Sequence, residues 1–291
     1  MHTVLLLMAS PDSQALSPRN LMRVAGMLPG PPRWLHEDEA AEWDLPSFDT
    51  ALELTLREAL GDLPIDIALL PAANRKKRLL VADMDSTFIA QECIDELGIA
   101  AGAGQAVTAI TYRAMRGELD FEGALRERVA LMAGLSATVI DDLIAKTDFT
   151  PGGKTLVTTM KHHGAHTALV SGGFTQFTAH VAHETGFHEH HANELIIADG
   201  KIQGKVREPI LGRASKVTAL GELTQRLGLT TADAITVGDG ANDIGMIQAA
   251  GMGVAFRAKP NVRAAADVRI DHADLSALLY LQGFKREDWV E

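Results

Sequence analysis

The sequence predicts an α/β fold: a parallel sheet covered by helices on both faces, interrupted once by a helical insertion and preceded by a small α+β unit. Three observations carry this. From Leu79 onward, short apolar runs alternate with helical patterns, and a chain that alternates in this way builds a parallel sheet buried on both sides. The stretch from about Phe88 to Asp148 breaks the alternation and holds helical patterns only. The first 70 residues follow the order βαββαβ, that of a small two-layer sandwich.

In chain order, Thr3–Met8 is a strand-like apolar run and Ser17–Leu28 has helical spacing after a Ser-Pro start. Two short segments follow, around Pro32–His36 and Ala40–Leu45, then a helix over Asp49–Leu60 and a strand at Ile65–Leu70. Residues 71–78 read as a linker whose basic tetrad, Arg75 to Arg78, is a solvated joint. The expected strands of the larger unit are Leu79–Ala82, Thr167–Val170, Ala234–Val237, Gly253–Phe256 and Val268–Ile270. Within the insertion, Gln91–Leu97 and Phe121–Met132 are the clearest helical stretches. Leu195–Ala198 and Lys201–Val206, joined by Asp199-Gly200, form a hairpin, because Asp-Gly between two β-prone runs favours a tight turn. The expected division is residues 1–72 for the α+β unit and 73–291 for the α/β unit, with a helical cap at about 88–148 inserted in the latter.

Composition narrows the classes of function. The 291 residues are 46% hydrophobic and 22% charged, with a net charge of −11 and a pI near 5.4. Such an acid balance argues against non-specific binding to nucleic acid or to an anionic membrane. The single cysteine, Cys93, excludes an internal disulfide and any multi-cysteine metal site. No run reaches the roughly 18 apolar residues of a membrane span, and the N-terminus lacks a signal-peptide pattern, so the expected location is the cytoplasm.

The chemistry gathers where the strands end. In an open α/β sheet, functional groups collect at the carboxyl ends of the strands. The first core strand runs into Asp83-Met84-Asp85-Ser86-Thr87, the second into Ser171-Gly172-Gly173 and the third into Gly238-Asp239-Gly240-Ala241-Asn242-Asp243. Lys216 lies near the start of a helical segment, Ala214–Leu227, just before the third strand. Each piece has a dull explanation: an acidic turn, a glycine loop, a surface lysine. Their joint occurrence, in this order and at strand ends, is what outweighs those explanations.

These four motifs resemble those of the haloacid dehalogenase (HAD) superfamily, whose members pass phosphoryl groups through an aspartate. Within it, Gln91-Glu92-Cys93-Ile94-Asp95-Glu96-Leu97, Phe121-Glu122-Gly123-Ala124-Leu125-Arg126-Glu127-Arg128-Val129 and Ser171-Gly172-Gly173-Phe174 are similar to the phosphoserine phosphatases. The resemblance covers roughly residues 78–285 and implies a HAD-like Rossmannoid core with a helical cap. Residues 1–70 resemble an ACT-like regulatory domain in element order alone.

The resemblance implies hydrolysis of O-phospho-L-serine to L-serine and phosphate through an aspartyl-phosphate, the last step of serine synthesis. It makes Asp83 the nucleophile and Asp85 the general acid and base. Asp83, Asp239 and the main-chain carbonyl of Asp85 would hold one Mg²⁺, an ion that favours one or two carboxylates beside a substrate phosphate. Asp243 or Asn242 would position a water on that ion. Ser171, Gly172, Gly173, Lys216 and Asn242 would take the phosphate. In the cap, Glu92 would meet the substrate ammonium and Arg128 its carboxylate, a geometry that suits the guanidinium fork, with Phe121 shaping the pocket.

Two other readings stay open from the residues: transfer of the phosphoryl group to another alcohol such as homoserine, and a non-catalytic amino-acid sensor. For the N-terminal unit three roles are open, namely serine binding as feedback, homodimer formation and simple cover of the core. His162-His163-x-x-His166 and His188-Glu189-His190-His191 offer zinc ligands, but they sit beside glycines in expected surface turns, without the i, i+4 helical context of a zinc hydrolase. Cys93 is expected to be a small packing residue of the cap.

Overall fold

The computed structural model describes residues 2–11 and 13–290. The N-terminal unit comprises β1 (Thr3–Ala9), α1 (Pro18–Leu21), β2 (Arg33–His36), β3 (Ala40–Leu45), α2 (Thr50–Leu60) and β4 (Ile65–Pro71). Its strands form an antiparallel sheet in the order β2-β3-β1-β4. The side chain of Asp49 caps α2 by accepting from the Leu52 N–H. The helix expected over Ser17–Leu28 is broken: α1 has four residues and a 3₁₀ turn at Ala25–Met27 follows. Neither piece contains a buried residue, and a short helix without an apolar face to bury is marginal in water.

The apolar run of β1 is explained by burial on both sides. Leu5, Leu7 and Ala9 face α2 in one core with Trp43, Leu56 and Ile67. Val4, Leu6 and Met8 face the other way, into the core that also holds Leu80, Phe88, Leu156 and Leu278 of the larger unit. The N-terminal sheet is thus packed on the rest of the chain. Polar anchors complete the seam. Buried Asp66 on β4 accepts the backbone N–H groups of Asp271, His272 and Ala273 at 2.8 to 3.3 Å, and Tyr280 donates to Glu39 at 2.8 Å.

The linker differs from its expectation in the same region. Only Lys76 and Arg78 of its basic tetrad are exposed. Arg75 pairs with buried Glu42 at 2.9 Å and donates to the carbonyls of Tyr280 and Leu281. Lys77 is buried, with its ammonium on the Ala232 carbonyl at 2.8 Å. An extended segment alternates its side chains between two sides, so every second charge was directed inward to carbonyls that the fold left there.

The larger unit begins with β5 (Leu79–Ala82). The cap follows as α3 (Cys93–Ala100), α4 (Gly104–Met115), α5 (Phe121–Ala130) and α6 (Thr138–Ile144). The chain then returns as α7 (Gly153–His162), β6 (His166–Phe174), α8 (Thr175–Thr185), β7 (Glu189–Asn193), β8 (Leu195–Ala198), β9 (Lys201–Val206) and α9 (Arg213–Leu227). It ends with β10 (Ala234–Gly238), α10 (Ile244–Ala249), β11 (Met252–Phe256), α11 (Pro260–Arg263), β12 (Val268–Ile270) and α12 (Ala277–Leu281). Six parallel strands run in the order β12-β11-β10-β5-β6-β7. Leu80 and Ala82 of β5 point into the core shared with the N-terminal unit, whereas Leu79 and Val81 meet Leu220, Leu223 and Met246 of α9 and α10.

Strand order reverses at β5, which has β6 on one side and β10 on the other. A crevice at such a switch point is where ligands bind in open α/β sheets. The cap joins the core beside it through two antiparallel chain segments, with Ala90 N–H on Asp148 O and Thr150 N–H on Phe88 O. The β8–β9 hairpin belongs with the cap, since Ile202 of β9 accepts from the Gly134 N–H at 2.8 Å and donates its own N–H to the Leu135 carbonyl at 2.9 Å.

The histidine-rich segments are surface turns only in part: exposed His162 and His163 lead into the turn at Gly164. His162 ends α7, His166 opens β6, and His190 and His191 lie in β7, an edge strand. Glu189 gathers His166 at 2.5 Å, His191 at 3.0 Å and Arg226. Polar residues at four of its five positions hide this edge strand from hydrophobic periodicity, because no alternation marks its two faces. Among the described residues, no helix is long and apolar enough to cross a membrane.

The Asp66 anchor is testable. In Asp66→Asn an amide nitrogen would face backbone N–H donors, so the variant is expected to lose about 2 kcal/mol of stability, read as a lower midpoint in urea unfolding. An unchanged midpoint would show that the seam rests on apolar packing alone.

Candidate active site

Register brings the motifs to one edge. Ala82 pairs with Val237 of β10 and Leu169 of β6, so Asp83, Asp239 and Ser171 leave their strands side by side. The Asp83 N–H continues the ladder onto the Val237 carbonyl at 3.0 Å. Lys216, on the first turn of α9, reaches under this edge and is wholly enclosed. Its ammonium meets Asp83 Oδ1 at 2.7 Å and Asp243 Oδ1 at 2.5 Å. Burial opposes its charge, but Asp243 and Asp83 outweigh burial and hold the ammonium above its usual range.

The carboxylates here are in different states. Asp83 Oδ1 accepts from Lys216 and also from the Met84 N–H at 2.8 Å. Asp243 is fully buried, with its second oxygen on the Gly240 N–H at 3.0 Å; burial and Asp83 push its pKa up. Asp85 pairs with no cation among the described residues. Its Oδ1 accepts the Cys93 N–H at 3.0 Å and its Oδ2 accepts the Ser171 hydroxyl at 3.2 Å. Burial first, then Glu92, raise its pKa to about 7. The Cys93 thiol is buried and its pKa pushed up by that burial, as suits a packing residue.

Two glycines are required by close approach. A Cβ on Gly173 would lie 2.7 Å from Asp85 Oδ2, and one on Gly172 would lie 2.9 Å from the Phe121 ring. The strand containing them runs on to Phe174, beyond the expected Val170, with an irregular register after Val170. The Gly173 N–H donates to Ser171 Oγ at 2.8 Å, which orients the hydroxyl.

The cap closes the other side. Ser86, in the left-handed region at φ 54°, turns the chain so that its hydroxyl donates to Glu92 at 2.8 Å. Burial raises the Glu92 pKa despite that bond. Arg128 on α5 is tethered by its Nε to the Ala124 carbonyl at 3.2 Å. Core and cap together enclose a cavity of about 290 Å³. Its wall includes Asp83, Asp85, Glu92, Phe121, Arg128, Ser171, Gly172, Gly173, Asp239 and Asn242, ten of the residues singled out from the sequence. Lys216 and Asp243 lie behind the wall, in contact with Asp83 or its loop. Asp95, Thr111 and Lys259 also line it and were missed. Asp95 stands one helical turn after Glu92 and could have been found by that spacing; Thr111 and Lys259 belong to no motif.

A divalent cation fits this site. One oxygen from each of Asp83, Asp239 and Asp243 lies within 4.8 Å of the others, the one such group of potential ligands among the described residues. Asp239 is buried, yet its carboxylate has no hydrogen-bonding partner among the described residues, and burial, Asp83 and Glu92 raise its pKa to about 6. Unpaired buried carboxylates are costly, and hard oxygen donors suit Mg²⁺.

A switch-point crevice with acidic strand ends under a helical cap defines a site of the Rossmann-like α/β class. The model of the haloacid dehalogenase-like hydrolase family matches residues 80–248, and the chain belongs to that family. A phosphoserine phosphatase of Streptomyces coelicolor is 42% identical over 252 residues, which cover 86% of this chain and 62% of that protein. The chain therefore spans about three fifths of that relative's length. A phosphoserine phosphatase of Streptococcus thermophilus is 45% identical over 68% of this chain and 93% of its own length. Among solved structures, a HAD family hydrolase from Salmonella enterica serovar Typhi superposes with a TM-score of 0.86 at 28% identity, covering 98% of this chain and 99% of that one.

Lys216 offers the sharpest test of this geometry. Lys216→Met would strand two buried carboxylates, and breaking such a pair costs on the order of 3 kcal/mol or more. The expected result is a clearly lower midpoint in chemical denaturation, and an unaltered one would mean that Asp83 and Asp243 are not held by this ammonium.

Proposed function

We propose that the chain hydrolyses O-phospho-L-serine to L-serine and phosphate, the reaction that completes serine synthesis, with Asp83 as the phosphorylated group. The proposed division places this activity in residues 73–291, with the cap at about 88–148 and the α+β unit at 1–72. The observation that carries the reading is the contrast between the two aspartates of one strand end. Asp83 is ion-paired to a buried lysine, as a nucleophile requires, whereas Asp85, two residues on, is buried, pairs with no cation among the described residues and is held toward its neutral form.

In the first step a carboxylate oxygen of Asp83 bonds to phosphorus, and the phosphorus–oxygen bond to serine breaks. Asp85 gives its proton to the departing serine oxygen, which is a poor leaving group without it. In the second step water attacks the aspartyl-phosphate, Asp85 takes back a proton, and the Asp83 carboxylate is restored. Ser171, the backbone of Gly172 and Gly173, and Asn242 hold the transferring oxygens, with the Lys216 ammonium offsetting charge from behind Asp83; positioning and charge stabilisation supply most of the catalysis. Asp83, Asp239 and the Asp85 carbonyl would hold Mg²⁺, with Asp243 behind them; the ion offsets the repulsion between a phosphate dianion and the carboxylates. Glu92 faces the substrate ammonium, Arg128 its carboxylate and Phe121 its short carbon stem.

That the family relatives at 42% and 45% identity are phosphoserine phosphatases supports the substrate. Neither transfer to another alcohol nor a purely sensory role has a specific observation in its favour.

Phosphate release from L-phosphoserine with Mg²⁺ is expected to exceed release from phosphothreonine and phosphoethanolamine, and EDTA is expected to abolish it. Robust turnover by Asp83→Asn would overturn the mechanism. Glu92→Gln should reduce kcat/KM for phosphoserine by about tenfold or more while sparing an aryl phosphate, as loss of one charge-assisted contact predicts. Equal losses on both substrates would remove Glu92 from the ammonium site.

A further inference from the structure

We propose that Lys259 is an additional substrate-binding residue, the cation that receives the phosphomonoester dianion at the junction of cap and core. The inference rests on the phosphatase reading above. Five carboxylates line the cavity, those of Asp83, Asp85, Glu92, Asp95 and Asp239, against two cations, Arg128 and Lys259. Lys216 is enclosed behind them and already shared by Asp83 and Asp243. Arg128 is tethered to Ala124 on α5 and lies in the field of Asp95 and Glu92, at the cap end. Lys259 is thus the core's own lining cation. Its ammonium has no hydrogen bond or ion pair among the described residues, so it is available to a ligand.

The placement of Lys259 is built. Its N–H donates to the Asp239 carbonyl at 3.2 Å, which ties it to the loop carrying the Asp239 carboxylate. Ala258 before it and Val262 after it are buried. Arg263 closes the turn by donating to the Ala258 carbonyl at 2.6 Å and pairing with Asp271 at 3.1 Å. The root is therefore fixed while the side chain stays exposed and reaches over the cavity. Lys259 lines the same cavity as Glu92 of the cap and Asp239 of the core, and its charge favours the ionised form of both. A cation beside them draws an anion into an otherwise acidic opening. Its flexible stem lets it follow the phosphate inward, a role for lysine as a point charge.

The test compares Lys259→Met and Lys259→Arg with the wild type on L-phosphoserine and on p-nitrophenyl phosphate, at low and high ionic strength. Calorimetric binding of inorganic phosphate with Mg²⁺ and thermal melts accompany the kinetics. Lys259→Met is expected to raise KM for both esters by about tenfold with a smaller change in kcat, and to weaken phosphate binding by about the same factor. It should also flatten the salt dependence of kcat/KM, because exposed charges are screened by salt. Lys259→Arg should recover most of each loss. Unchanged KM and phosphate affinity in a folded Lys259→Met would overturn the proposal, and so would a loss confined to phosphoserine, which would place Lys259 at the amino-acid end. A wild type active on the aryl ester but not on phosphoserine would remove the substrate assignment and leave Lys259 to be decided by the aryl ester. A wild type inactive on both would remove the phosphatase reading, with phosphate binding then deciding Lys259.

Discussion

A lysine enclosed between two aspartates organises the working end of this protein. Lys216 touches Asp83 and Asp243, which come from two different strand ends, and it is almost wholly buried. Carboxylates gathered at the mouth of a parallel sheet repel one another and resist burial. One enclosed ammonium holds two of them in register, which leaves Asp239 and Asp85 as the unpaired members of the set. Burial raises the pKa of both, to about 6 and about 7, as it also raises that of Asp243 despite the ammonium; on the proposed reading Asp239 shares the cation with Asp83, and Asp85 carries the proton.

The cap depends on that arrangement and contributes a second kind of selectivity. Its first helix begins against Asp85, through the Cys93 N–H, so the position of Glu92 is tied to that carboxylate. Phe121 from α5 sits against Gly172, where any side chain would displace it. On the proposed reading, phosphoryl chemistry belongs to the sheet edge and recognition of the rest of the substrate belongs to the cap. The glycines of Ser171-Gly172-Gly173 are where the two surfaces touch.

The N-terminal unit is joined to this machinery more tightly than an appended module would be. One face of its sheet lies in the main core, and Asp66 grips the backbone after β12. That backbone also carries Asp271, the partner of Arg263 in the turn that roots Lys259. A mechanical connection therefore runs from β4 to the edge of the cavity.

Much of this was legible in the chain. The α/β core, the inserted cap, the βαββαβ order and the hairpin follow from apolar periodicity and turn chemistry, which are local properties. Seven of the ten predicted residues that line the cavity do so because their motifs end strands whose direction the alternation already determines; Glu92, Phe121 and Arg128 reach it from the cap helices. The histidine-rich edge strand β7 was hidden because it lacks alternation, and the one-turn helix α1 was overstated because helical spacing does not reveal whether a face will be buried. The docking of Arg75 and Lys77, the sharing of Lys216 between two aspartates and the placing of Lys259 in the same cavity as Glu92 and Asp239 came from the tertiary structure alone. Each joins residues far apart in sequence, and whether a charge lies in water or in a core depends on which distant groups the fold sets beside it.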